Sequence, residues 1–157
     1  MKKLKLEIVF EEKSVGELDK IEKTLMQAAV VAASKAYAPY SHFNVGVAAL
    51  LSNEEVVTGS NQENGAYPSG ICAERTALFY AGAKYPDEAV EMLAIVALVD
   101  GEVCSSITPC GACRQVLLES EQRGGKPIRV LLCGKEKVLI ASSVKDLLPL
   151  SFKLDVK

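Results

Sequence analysis

Apolar and polar residues alternate over residues 1–10, placing Leu4, Leu6, Ile8 and Phe10 on one side, which predicts an N-terminal strand. Residues 11–16 are polar and read as a turn. Between residues 17 and 37, Leu18, Ile21, Leu25, Met26, Ala29 and Val30 recur at helical spacing, and Pro39 stops the helix. The nearly continuous apolar run 45–51 predicts a buried strand, and residues 55–60 return as its hairpin partner. Residues 61–70, rich in Asn, Gly and Pro, form a loop, and a short helix follows over 72–83. Residues 92–99 read as a buried strand closed by a turn at Asp100-Gly101. Pro109 and Cys110 open a helix that runs to about residue 122 and ends at Gly124-Gly125. A further buried strand spans 128–133, and a last short helix spans 144–148.

Strands alternating with helices predict an α/β fold: a three-layer α/β/α sandwich around a central mixed sheet of about five strands, with an extra N-terminal edge strand. No repeat or long linker divides the 157 residues, so the chain reads as one domain over 1–157, with 1–16 as an N-terminal extension. Hydrophobic residues make up 49% and charged residues 24%, as in folded globular chains rather than disordered or fibrous ones. The 18 basic against 20 acidic side chains give a net charge of −2, without the positive field that long nucleic acid requires. No run approaches the roughly 18 apolar residues of a membrane span. Lys5 and Glu7 interrupt the N-terminal apolar positions and no small-residue cleavage site follows, which argues against an export signal and for a cytoplasmic location.

In such a reducing compartment the five cysteines point to metal or catalysis before disulfides. Cys110 and Cys113 stand three apart at a helix start, where partial positive charge favours thiolates. Cys72, at another helix start, supplies a third candidate sulfur, and zinc with three protein ligands keeps a fourth position for water. Glu74 is placed to handle that water's protons, and Arg75, with Arg114 as a second candidate, to donate to the sulfurs and draw off their charge. The Cys-x-x-Cys pair by itself also suits a redox pair, or half of a structural zinc site completed by Cys104 or Cys133. Otherwise Cys104 and Cys133 read as small hydrophobes near sheet ends. His42 is the single histidine, which excludes a histidine-based triad; it reads as structural or at the pocket rim.

The run Cys72-Ala73-Glu74-Arg75, followed by Pro109-Cys110-Gly111-Ala112-Cys113-Arg114-Gln115, resembles the small zinc-dependent cytidine deaminases with three cysteine ligands. Phe43-Asn44-Val45-Gly46 and Gly59-Ser60-Asn61-Gln62-Glu63-Asn64 extend the likeness, in the same order, from Pro39 through Phe152. The resemblance implies one Zn²⁺ per subunit held by Cys72, Cys110 and Cys113, and Glu74 as proton shuttle in hydrolytic deamination of cytidine and deoxycytidine to uridine and deoxyuridine, a step of pyrimidine salvage. It also implies that Asn61 and Glu63 hold the ribose hydroxyls, that Phe43 packs on the pyrimidine, and that the Ala73 backbone reads its polar edge. The small class is a homotetramer, which assigns Tyr67 to a contact across subunits and Phe152 to a neighbour's site. For Phe152 a terminal core anchor is the competing reading. The segment before Leu18 and residues 85–108 are longer than the family pattern, which bears on oligomer contacts and loop shape. Rival functions are a deaminase of the same fold acting on another small substrate such as blasticidin S, and a noncatalytic zinc-binding module. The residues do not rank cytidine against deoxycytidine.

Overall fold

The computed structural model describes residues 1–154; 155–157, the end of the span read as one domain, lie outside it. A single sheet organises the chain. Strands β1 (Phe10–Ser14), β2 (Asn44–Leu51), β3 (Val56–Ser60), β4 (Val90–Val99), β5 (Glu102–Val103), β6 (Arg129–Cys133) and β7 (Lys137–Ala141) join in the order β1-β7-β6-β4-β2-β3, with the two-residue β5 beside β4. Its pairings are antiparallel except that of β4 with β6, where helix α3 (Gly111–Gly124) makes the crossover. The mixed sheet is the one expected, with seven strands rather than about five and β1 at its edge.

Alternation along each strand divides the core into two layers. Val47, Ala49, Leu51, Leu93, Ile95, Val130 and Leu132 face α3 and helix α2 (Ala73–Lys84). Ala48, Ala94, Val96, Leu131 and Cys133 face helix α1 (Lys20–Ala33). Small residues set the helix-to-sheet distance. A Cβ at Gly46 would lie 2.1 Å from the Ala29 carbonyl of α1, and one at Gly59 2.5 Å from the Ala77 amide of α2. Gly59 therefore fixes the height of α2 above the sheet, and with it the place of Cys72 and Glu74 at its first turn.

Three sequence expectations shift. The N-terminal strand lies at Phe10–Ser14 rather than over 1–10, and Leu4, Leu6 and Ile8 are exposed. Phe10 pairs with Ala141, the last residue of β7, so residues before it run past the end of the one strand that neighbours β1 among the described residues. Charge reinforces the ladder that β1 makes with β7. Arg129 Nη2 donates to Glu11 at 2.9 Å, and Lys137 Nζ donates to Glu12 at 2.6 Å. Strand β7 has no counterpart in the sequence reading, and the last short helix is a 3₁₀ turn at Val144–Asp146.

Glu22 ties the extension to the core. It is 1% exposed, accepts from Lys13 Nζ at 2.9 Å and Arg129 Nη2 at 3.2 Å, and closes a capping box with Asp19 at the start of α1. Burial pushes its carboxyl up, but Lys13, the Asp19 amide and Arg129 together outweigh this and hold it below the ordinary value of 4.5. A depressed carboxylate contributes stability above its unfolded value that is lost as pH falls through its folded value. Glu22→Gln is therefore expected to cost about 2–4 kcal/mol at pH 7, and the gap to the wild type should narrow as pH falls below 4.5. Urea unfolding at pH 7 and in acid checks this; a gap independent of pH would contradict it.

Candidate active site

Two helix starts meet above the sheet. Cys72 is the N-cap of α2 and Cys110 the N-cap of α3, with Cys113 one turn further into α3. Their three sulfurs lie within 4.8 Å of one another, and those of Cys72 and Cys110 are 4.0 Å apart. Among the described residues this is the one group of three or more Cys, His, Asp or Glu side chains close enough to hold an ion. Neither N-cap sulfur accepts a capping hydrogen bond from its helix, so both stay available to a metal. Both helix N-termini turn their partial positive charge toward the cluster. Contact with the Cys113 thiol, together with Arg75 and Cys110, outweighs burial and lowers Cys72 to about 5. The same contact, together with burial and the nearby Glu74, pushes Cys113 up. Three soft donors converging where two helix N-termini meet are a set that fits zinc.

Glu74, the second residue of α2, is 5% exposed. Burial pushes its carboxyl above the ordinary carboxylate range and the Cys72 thiolate adds to this; its own amide and the Cys113 thiol oppose the shift without cancelling it. A carboxyl so placed holds a proton more readily than one in water. Arg75 Nη2 donates to Cys72 Sγ at 3.7 Å, as expected for a cation relieving thiolate charge. Arg114 does not take the sulfur-donating place proposed for it. Its guanidinium donates to the Pro109 and Leu147 carbonyls instead, because its place on α3 aims it along the helix toward the C-terminal segment.

The loop 61–71 is stitched to the chain on both sides. Gln62 exchanges two backbone hydrogen bonds with Ile71, the residue before Cys72, while the Tyr37 amide donates to the Asn61 carbonyl and the Glu63 amide to the Tyr37 carbonyl. Asn61 accepts from the Val45 amide at 2.7 Å and donates to the Phe43 carbonyl at 2.9 Å. Glu63 accepts from the Tyr40 amide at 2.9 Å, the Ser41 amide at 3.3 Å and the Ser41 hydroxyl. The Ser41 hydroxyl and the Tyr40 amide hold its carboxyl below the usual range. His42, in the left-handed region at φ 55°, turns the chain from this anchored pair into Phe43.

Asn61, Glu63, Tyr67, Cys72 and Arg75 line one cavity of about 500 Å³ with Tyr40, Ser41, Gln62, Asn64, Gly70 and Ile71. Tyr40 and Tyr67 meet edge to face, ring centres 6.1 Å apart. Phe43 and Phe152 are not part of its wall; Phe152 is 70% exposed, and its carbonyl accepts from Gln115 Nε2 at 3.3 Å. Ala73 is fully buried. The sequence reading did not single out Tyr40 and Ser41. Their signal, a small hydroxyl residue two before Phe43, gains meaning only once Glu63 is seen against it.

A mixed sheet between helix layers, with three sulfurs that fit zinc where two helices start, defines a zinc-binding α/β protein. The chain belongs to the cytidine and deoxycytidylate deaminase family: the model of that family's zinc-binding region matches residues 19–124. A cytidine deaminase of Mycobacterium tuberculosis is 42% identical over 130 residues, covering 81% of this chain and 86% of that protein. One from Halalkalibacterium halodurans is 43% identical over 95 residues, 60% of this chain and 68% of that one. Among solved structures, cytidine deaminase from Burkholderia pseudomallei superposes with a TM-score of 0.68 at 42% identity, covering 83% of this chain and 98% of that one.

Proposed function

We propose that this protein hydrolyses cytidine and deoxycytidine to uridine and deoxyuridine with release of ammonia, with Cys72, Cys110 and Cys113 holding one zinc ion. The observation that carries this reading is the buried Glu74 beside the converging sulfurs, one of which, Cys72, lines the cavity walled by Asn61 and Glu63. Family membership and relatives named cytidine deaminase support it. When bound, zinc supplies the Lewis acidity that makes water nucleophilic at neutral pH. Glu74 takes the proton that water gives up, passes it to ring N3, and then carries the proton of the new C4 hydroxyl to the departing amino nitrogen. Water adds at C4, the C4–N bond breaks, and ammonia leaves. Arg75 withdraws charge from the Cys72 sulfur, which keeps the metal electrophilic. Glu63 retains acceptor capacity beyond its Tyr40 and Ser41 contacts for a ribose hydroxyl. Asn61 positions Phe43 through its carbonyl, beside the pyrimidine.

The same reading makes the chain one domain with 1–16 as an extension, places it in pyrimidine salvage in the cytoplasm, and assembles it as a homotetramer in which Tyr67 and Phe152 act across subunits. No helix among the described residues is long and apolar enough to cross a membrane. A panel of cytidine, deoxycytidine, free cytosine and blasticidin S tests the substrate assignment. Because the site addresses ribose hydroxyls, kcat/KM for cytidine is expected to exceed that for cytosine by about 10³-fold or more. Glu63→Ala, which takes away the ribose acceptor, should remove much of that margin. Blasticidin S turned over faster than cytidine would contradict the assignment.

A further inference from the structure

The C-terminal segment runs back along α3 toward its metal-binding end, held at three levels. At the far end, buried Glu121 accepts from the Ser143 hydroxyl at 2.8 Å and the Val144 amide at 2.7 Å. Two turns nearer the cysteines, Arg114 Nη1 donates to the Leu147 carbonyl at 2.9 Å. Beside it, Gln115 Nε2 donates to the Phe152 carbonyl at 3.3 Å. Arg114 differs from the other two because its Nε also donates, at 2.9 Å, to the carbonyl of buried Pro109, immediately before Cys110. One planar guanidinium thus bridges the loop that delivers Cys110 and the segment that delivers Phe152. Among the described residues it makes no ion pair, so its charge serves these two carbonyls. The two donors have a fixed mutual geometry, which a lysine's single flexible ammonium does not reproduce.

We propose that Arg114 is a positioning residue that couples the C-terminal segment to the metal loop: it holds Pro109, and through it Cys110, in register with Leu147 and the tail beyond. The coupling rests on the assignment of Cys110 and Cys113 as zinc ligands. Without the guanidinium, the Pro109 carbonyl loses a charge-assisted partner in a site where water cannot readily replace it. The loop then loosens, and zinc leaves faster.

Two readouts, neither of them turnover, test this on the full-length zinc-loaded protein. The first is the rate of zinc release to an excess of chromogenic chelator. The second is the fluorescence anisotropy of Phe152→Trp, whose tryptophan is the sole one because the chain has none. Arg114→Met, which keeps length and removes both bonds, is expected to speed release by about 10-fold or more and to lower the anisotropy. Arg114→Lys should fall between Arg114→Met and wild type. Gln115→Ala, which frees the tail alone, should lower the anisotropy and leave release within twofold of wild type. Release from Arg114→Met within twofold of wild type would overturn the proposal, as would faster release with the tail's anisotropy unchanged. Should Arg114→Met not fold, Arg114→Lys carries the same test, with an expected acceleration of about threefold. A wild type that binds no zinc would instead overturn the ligand assignment, and so separates the two failures.

Discussion

Glu74→Gln should keep its full complement of zinc and lose cytidine turnover by about 10²–10⁴-fold. Glutamine matches glutamate in shape, so the 5% exposed side chain can be replaced without a cavity or a clash. It also carries no charge in that buried place, so the fold gives up no ion pair. What it cannot do is accept a proton from water and deliver it to nitrogen. Because Glu74 is not one of the three sulfurs, zinc per chain should equal that of the wild type. Metal analysis beside a turnover assay checks both halves. Turnover within tenfold of wild type would remove Glu74 from the chemistry, and full zinc with turnover lost relative to an active wild type would also exclude a module that merely binds metal.

Cys113→Ala should bind no stoichiometric zinc and show no measurable turnover. Its sulfur comes from a fully buried position on α3, held by the helix rather than by a loop. With it gone, Cys72 and Cys110 are left 4.0 Å apart as two ligands, fewer than a catalytic zinc site requires. The same change removes the link between the starts of α2 and α3, so the melting temperature should lose its dependence on added zinc. Cys133→Ala is the matched control. That thiol is equally buried but faces the α1 layer, and burial pushes it up to about 12, which makes it inert. Its variant should keep zinc and turnover. Zinc retained by Cys113→Ala would contradict the ligand set.

The metal site was legible in the sequence because part of its geometry is local. Helix periodicity brings Cys110 and Cys113 together, and Cys72, 38 residues before Cys110, joins them as a candidate at another helix start and through the family resemblance. Strands β2, β4 and β6 were legible as continuous apolar runs, since both of their faces are covered. Strand β7 was not: Lys137–Ala141 is five residues long and follows a charged turn, and only its pairing with β6 and β1 makes it a strand. The misplaced N-terminal strand has the converse cause. Residues 4–8 alternate well but have no partner, whereas Glu11–Lys13 look like a turn and are held by Arg129, Lys137 and Glu22 from distant parts of the chain. Likewise, the Ser41–Glu63 contact and the two carbonyls of Arg114 depend on segments brought together by the sheet, which no spacing along the chain encodes.

The most direct test of the central claim is the fall in absorbance when zinc-loaded wild-type protein meets cytidine, with ammonia measured in the same sample. Zinc-dependent loss of cytidine matched one-for-one by ammonia and uridine is the expected result. One zinc bound per chain, with neither cytidine nor deoxycytidine consumed, would contradict it.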